Sequence, residues 1–134
     1  MPGSFVDTNV LAYLASADTT KAARAEAVVA QGGKISVQVL NELANVARRK
    51  MALSWPETQA FLSAVRSLLT VEPLTEDVHD RGLAIAKRFG LSIYDAMIVA
   101  SALQAGCDVL WSEDMQDGLM IEDRLRISNP FHVG

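Results

Sequence analysis

The sequence predicts a single α/β domain over residues 1–134, a three-layer α/β/α sandwich around a central, mainly parallel sheet. Three observations carry this prediction. Short apolar runs alternate with longer amphipathic stretches, the pattern of βαβ units. Half of the 134 residues are hydrophobic and 21% are charged, so the chain can bury a proper core and lacks the composition of a disordered segment. The apolar runs ending at Val6 and Trp111 lead directly into acid-bearing segments, and open α/β sheets bind ligands outside the carboxyl ends of their strands.

The elements follow in order. Ser4–Val6 is the first strand, and Asn9–Ala15 continues from it as a helix. Lys21–Ala30 is an alanine-rich helix that Gly32-Gly33 ends. Lys34–Val37 is a short strand, and Val39–Met51 is a helix with Leu40, Leu43, Ala44 and Ala47 on one face. Ser54-Trp55-Pro56-Glu57 reads as a capping box with proline in the first turn, which starts a helix running to about Ser67. Leu69–Pro73 is a strand. Thr75 caps the next helix, with Glu76 and Asp77 near its positive end, and Gly90 closes it. Ser92–Ala105 is a strongly apolar helix, Asp108–Trp111 a buried strand, and Leu125–Ser128 a last strand stopped by Asn129-Pro130.

Composition narrows the function classes. A single cysteine, Cys107, allows no disulfide within the chain, which fits a reducing, cytoplasmic compartment, and a free cysteine is usually a buried small hydrophobe. No stretch of about 18 apolar residues is present to span a membrane, and the N-terminus lacks the basic region of a signal peptide. The formal net charge of −4 opposes a nucleic acid backbone, so any RNA-binding surface must be local. Arg48-Arg49-Lys50 is the candidate, although cations there also suit the end of a helix.

Four carboxylates stand out: Asp7, Glu42, Asp95 and Asp114. Asp7 follows the first strand. Asp95 lies near the start of a helix that is apolar almost all round, where no cation stands one turn away; an unpartnered buried carboxylate tends to protonate. Ser92-x-x-Asp95 is equally readable as a capping box. Glu42 also lacks a basic neighbour at one turn, yet a solvated helix glutamate would look the same. Asp114 follows a strand by three residues, in a segment whose Asp117-Gly118 is turn chemistry. Two acids lie beyond strand ends and two near the starts of helices expected to follow strands, so a parallel sheet gathers all four at one edge. Their mutual repulsion is relieved by a hard divalent cation. Oxygen-only donors favour Mg²⁺, with Mn²⁺ as substitute, and neither His79 nor His132 is near enough in sequence to suggest zinc.

The chain resembles the PIN-domain ribonucleases, and among them the VapC-type toxins of bacterial toxin–antitoxin pairs. The resemblance rests on Phe5-Val6-Asp7-Thr8-Asn9, Ser36-Val37-Gln38-Val39-Leu40-Asn41-Glu42, Leu91-Ser92-Ile93-Tyr94-Asp95-Ala96, Leu110-Trp111-Ser112-Glu113-Asp114 and a terminal Asn129-Pro130-Phe131. It implies metal-binding, catalytic roles for Asp7, Glu42, Asp95 and Asp114, with Asn9 and Ser112 as supports that hydrogen-bond the ligands. Asp117 and Glu113 compete with Asp114 for the fourth place. It also implies Mg²⁺-dependent hydrolysis of RNA phosphodiesters, a homodimer, and a small antitoxin covering the cleft. Trp55 and Tyr94 are candidate aromatics for RNA, with Tyr94 read first as core, and the Ser54–Leu69 helix with Phe61 and Leu62 is a candidate interface. Two alternatives stand beside this reading: an inactive PIN-like scaffold that acts by binding protein, and a Mg²⁺-binding phosphoryl-accepting receiver-like domain.

Overall fold

The computed structural model describes residues 3–132; residues 1, 2, 133 and 134 of the expected 1–134 domain lie outside the described residues. The chain runs β1 (Ser4–Val6), α1 (Thr8–Ala12), a 3-10 turn (Tyr13–Ala15), α2 (Thr19–Ala30), β2 (Lys34–Ser36), α3 (Val37–Arg49), α4 (Trp55–Leu68), β3 (Thr70–Glu72), α5 (Glu76–Phe89), α6 (Ile93–Gln104), β4 (Val109–Trp111), β5 (Met120–Ile121) and β6 (Leu125–Ser128). The strands form one sheet in the order β3-β2-β1-β4-β6-β5. All its pairings are parallel except the last, β5 against β6. Six α-helices flank this mainly parallel sheet, as the α/β sandwich requires. A receiver-like fold instead orders its strands 2-1-3-4-5, and the structure does not have that order.

Local capping sets the boundaries. Asp18 accepts from the Lys21 amide at 3.1 Å, so α2 starts at Thr19, ahead of the expected Lys21. The Ser36 hydroxyl accepts from the Val39 amide at 3.3 Å and turns the chain into α3 at Val37, the residue expected to end the strand. The Ser54 capping box is complete, with Ser54 N donating to Glu57 at 2.8 Å and Glu57 N to Ser54 Oγ at 3.1 Å. The expected helix to Ala15 is in fact split at Ala12, beyond which the chain tightens into the 3-10 turn. Strand β5 was not expected at all. It is two residues long and turned by Glu122 and Asp123 at φ 53° and 55°, a pair without the Asn-Gly signature of such turns.

The core lies between sheet and helices. Phe5, Ile35, Leu110 and Ile127 from the strands meet Leu11, Leu43, Ile98 and Leu103 from the helices, all fully buried. Cys107 is buried among them, and burial pushes its thiol up. Two helices cross closely at Gly82 of α5, where a Cβ would stand 2.6 Å from Met97 Sδ of α6. Gly33 is held at φ +142° so close to β1 that a Cβ would meet the Ser4 carbonyl at 2.9 Å. Among the described residues no helix is long and apolar enough to cross a membrane.

Two expectations are corrected by exposure and connectivity. Tyr94 is 65% exposed, so it is no core residue, and α4 leaves Trp55 exposed while Phe61 and Leu62 pack against the core. Helix α6 follows α5 and not a strand. It still brings its N-terminus to the functional edge, because its other end lies at the start of β2: Lys34 Nζ donates to the Ala105 carbonyl at 3.2 Å.

A candidate carboxylate site at the sheet edge

Strands β1, β2 and β4 are parallel, so their carboxyl ends share one edge. From β1 the chain moves to β2 on one side and later returns to β4 on the other. The crevice between β1 and β4 is therefore where the strand order reverses, the place where open α/β sheets bind ligands.

Asp7 sits in that crevice, 3% exposed, with its amide donating to the Trp111 carbonyl at 2.9 Å. Its side chain caps α1 by accepting from Thr8 N at 2.7 Å. The other carboxylate oxygen accepts from Ser112 Oγ at 2.8 Å and from Asn9 Nδ2 at 3.0 Å. Burial raises this carboxyl to about 7; the Ser112 and Thr8 hydrogen bonds oppose the rise, and the charges of Asp95 and Glu42 add to it. Asn9 and Ser112 thus stand where supports of Asp7 were expected, and Ser112 also accepts from Met115 N at 3.2 Å.

The other three acids converge on the same place. An open cleft of about 490 Å³ is lined by Asp7, Glu42, Asp95 and Asp114. Asp95 makes only half of a capping box, its amide donating to Ser92 Oγ at 3.2 Å while its side chain lines the cleft. Burial raises its carboxyl, the Ser92 hydroxyl opposes this, and the charges of Glu42 and Asp114 raise it further. Glu42 reaches the cleft from α3 with both oxygens engaged, by Thr8 Oγ1 at 2.7 Å and by Gln38 Nε2 at 2.8 Å. Among the described residues, no Lys or Arg pairs with any of the four.

The candidates for the fourth place separate cleanly. Glu113 also lines the cleft, but Lys21 Nζ holds it at 2.6 Å. Asp117 does not join the site: it accepts from the Asn129 amide at 2.9 Å and pairs with His132 at 2.9 Å, fastening the turn that follows β6. Asp114 remains free to face Asp95. Of the three basic candidates only Lys50 lines the cleft. Arg48 instead stacks on Trp55 at 4.1 Å and donates to the Leu53 carbonyl at 2.7 Å, a helix-end role. Arg49 is exposed and does not line the cleft.

The donor set suits a hard divalent cation: oxygen ligands alone, excess negative charge, and a buried carboxylate without a cationic partner. Asp7, Glu42, Asp95 and Asp114 could hold it. Among the described residues no three acids stand close enough to cage an ion as they are placed. Sequence reading missed Thr8, Gln38, Tyr13 and Lys21. Gln38 was findable, one helical turn before Glu42; Lys21 is 92 residues from Glu113 and leaves no local signal.

Similarity to known proteins agrees with this geometry. The most similar solved structures include a toxin–antitoxin complex from Klebsiella pneumoniae, at TM-score 0.73 and 22% identity, covering 97% of this chain and 99% of that one. They also include the Mycobacterium tuberculosis toxin VapC20, which cleaves the sarcin–ricin loop, at TM-score 0.69 and 24% identity over 83% of this chain and 89% of that one. A third is the VapBC2 complex of Rickettsia felis bound to a promoter DNA fragment, at TM-score 0.68 and 16% identity over 94% and 97%. These likenesses speak for the fold. No curated protein sequence matches the chain. A family model for the PIN domain matches residues 4–116, a span that carries β1 and every acid of the cleft, and the chain belongs to the PIN-domain family.

Proposed function

We propose that the cleft is the active site of a divalent-cation-dependent endoribonuclease, the toxin of a toxin–antitoxin pair. The observation that carries this reading is Asp7: a buried carboxylate at the strand switch point that shares its cleft with Glu42, Asp95 and Asp114 and, among the described residues, pairs with no Lys or Arg. Mg²⁺ or Mn²⁺ bound there would supply Lewis acidity to a phosphodiester and acidify the attacking water. Asp7 and Asp95 would hold the ion, and Glu42 and Asp114 would complete the site. Ser112 and Asn9 fix the Asp7 carboxylate, so Asp7 keeps its place while the other acids close on it. Lys50, on the cleft wall, offers its ammonium to a substrate phosphate. A cognate antitoxin partner belongs to the same reading and is supported by the toxin–antitoxin complexes among the similar structures; its seat over the cleft, a homodimer and a cytoplasmic setting are further parts of the proposal.

The test is cleavage of labelled structured and single-stranded RNAs with Mg²⁺, with Mn²⁺ and with EDTA. The wild-type chain is expected to cleave only with metal, and Asp7→Asn to lose at least about a hundredfold in rate. Cleavage no faster than that of Asp7→Asn on every RNA overturns the reading. It would favour an inactive scaffold, to which the engagement of both Glu42 oxygens by Thr8 and Gln38 gives some support.

A further inference from the structure

At the wall of the carboxylate cleft, sharing Tyr13 and Glu113 with its lining, lies a second polar cluster that the proposed chemistry does not use. Lys21 of α2, Tyr13 of the 3-10 turn and Glu113 after β4 meet there. Lys21 Nζ stands 2.6 Å from Glu113 Oε2 and donates to Tyr13 Oη at 3.1 Å, while Tyr13 Oη donates to Glu113 Oε1 at 2.7 Å. Each member of the triangle touches the other two. Two aromatic rings cover the ammonium: Lys21 Nζ lies 4.7 Å from the Tyr13 centroid and 5.3 Å from that of Phe131. Phe131 in turn packs edge-on against Tyr13 at 4.8 Å.

This cluster is tied to the cleft through Glu113. The Glu113 amide donates to Asn9 Oδ1 at 2.9 Å, and Asn9 Nδ2 donates to Asp7 Oδ2 at 3.0 Å. Ser112, the preceding residue, is fastened to Asp7, and Asp114, the next one, lines the cleft. The loop that carries Ser112 and Asp114 is therefore held on one side by Asp7 and on the other by the Lys21–Tyr13–Glu113 triangle. Glu113 faces the cleft, yet each carboxylate oxygen is engaged, one by an ammonium and one by a hydroxyl. The geometry points to a positioning role: Lys21 and Tyr13 clamp Glu113 so that Asp114 and Asn9 stand at fixed distances from Asp7. Glu113 acts through the loop and is not itself a ligand. This rests on the metal-site reading only for its consequence, since the clamp on the loop stands without metal. Outer partners of metal ligands typically change metal affinity by about ten- to a hundredfold when removed.

Five variants of the full chain test it. Lys21→Met removes the ammonium, and Tyr13→Phe removes only a hydroxyl and keeps the ring packing. Arg81→Met breaks the comparably exposed Arg81–Glu122 pair, 2.9 Å long, which is not part of this network. Hydrogen exchange in metal-free protein is expected to run about tenfold faster at the Glu113 and Met115 amides in the first two variants and unchanged in Arg81→Met. Mn²⁺ affinity, measured by calorimetry, is expected to fall on the order of tenfold in Lys21→Met and to return in Lys21→Arg. Wild-type exchange rates in both clamp variants, or equal acceleration in Arg81→Met, overturn the clamp. So does intact Mn²⁺ affinity in Lys21→Met beside complete loss in Glu113→Gln, which would make Glu113 a ligand. Faster loop exchange in a chain whose wild type binds no Mn²⁺ supports the clamp and counts against the metal reading instead.

Discussion

The Asp7 carboxyl, raised by burial to about 7 against an ordinary 3.8, keeps its proton in the metal-free fold across a range where the unfolded chain has lost it. Folding then takes up a proton between about pH 4 and pH 7, so stability falls as pH rises through that window and levels off above it. The shift corresponds to roughly 4 kcal/mol at most, and the raised Asp95 carboxyl acts in the same direction. Urea denaturation of metal-free protein at about pH 5 and about pH 7.5 should show the wild type losing stability by a few kcal/mol and Asp7→Asn losing much less. Equal losses in the two proteins would remove burial of Asp7 as the cause. The four acids themselves were legible one by one in the sequence: Asp7 and Asp114 because each follows a strand, Asp95 and Glu42 because neither has a cation one helical turn away. Their competitors were not separable there: Glu113 and Asp117 look as eligible as Asp114 until Lys21, Asn129 and His132 are seen to occupy them.

At the scale of elements, the cleft depends on how closely α6 approaches α5. Gly82 permits the crossing, since a Cβ there would stand 2.6 Å from Met97 Sδ and 2.9 Å from its Cε. Met97 is itself 4% exposed and has little room to yield. Gly82→Val should therefore cost about 2–3 kcal/mol by overpacking, read as a lower urea midpoint at unchanged slope; a stability within about 0.5 kcal/mol of wild type would show that the helices can separate freely. Asp95 stands on the same helix α6, two residues before Met97. Helix positions were readable because caps act over three residues, as at Ser54, Thr75 and Ser92. The hairpin to β5 was not, since Glu122 and Asp123 take positive φ only because the β5–β6 pairing makes them.

For the whole molecule, a cation that binds the folded cleft and not the unfolded chain must stabilise the fold. At about 100 times its dissociation constant, Mn²⁺ should add about 2.7 kcal/mol, seen as a rise in Tm that EDTA reverses and that Asp7→Asn lacks. An equal rise in Asp7→Asn would move the ion to another site. The gain should be larger above pH 7, where Asp7 has given up its proton and no competition with the metal remains.

By itself the sequence determined the class of fold, five of the six strands, the helix caps at Ser54, Thr75 and Ser92 and a short list of acids, because these follow from periodicity and from contacts within one or two turns of the chain. Only the tertiary structure decided which acids share a cleft, that Lys50 lines it while Arg48 stacks on Trp55, and that Lys21 pairs with Glu113. Those outcomes depend on side chains as far as 105 residues apart, as Ser112 is from Asp7. No local pattern encodes such a meeting; it is set by the order of strands in the sheet and by which helix packs over which.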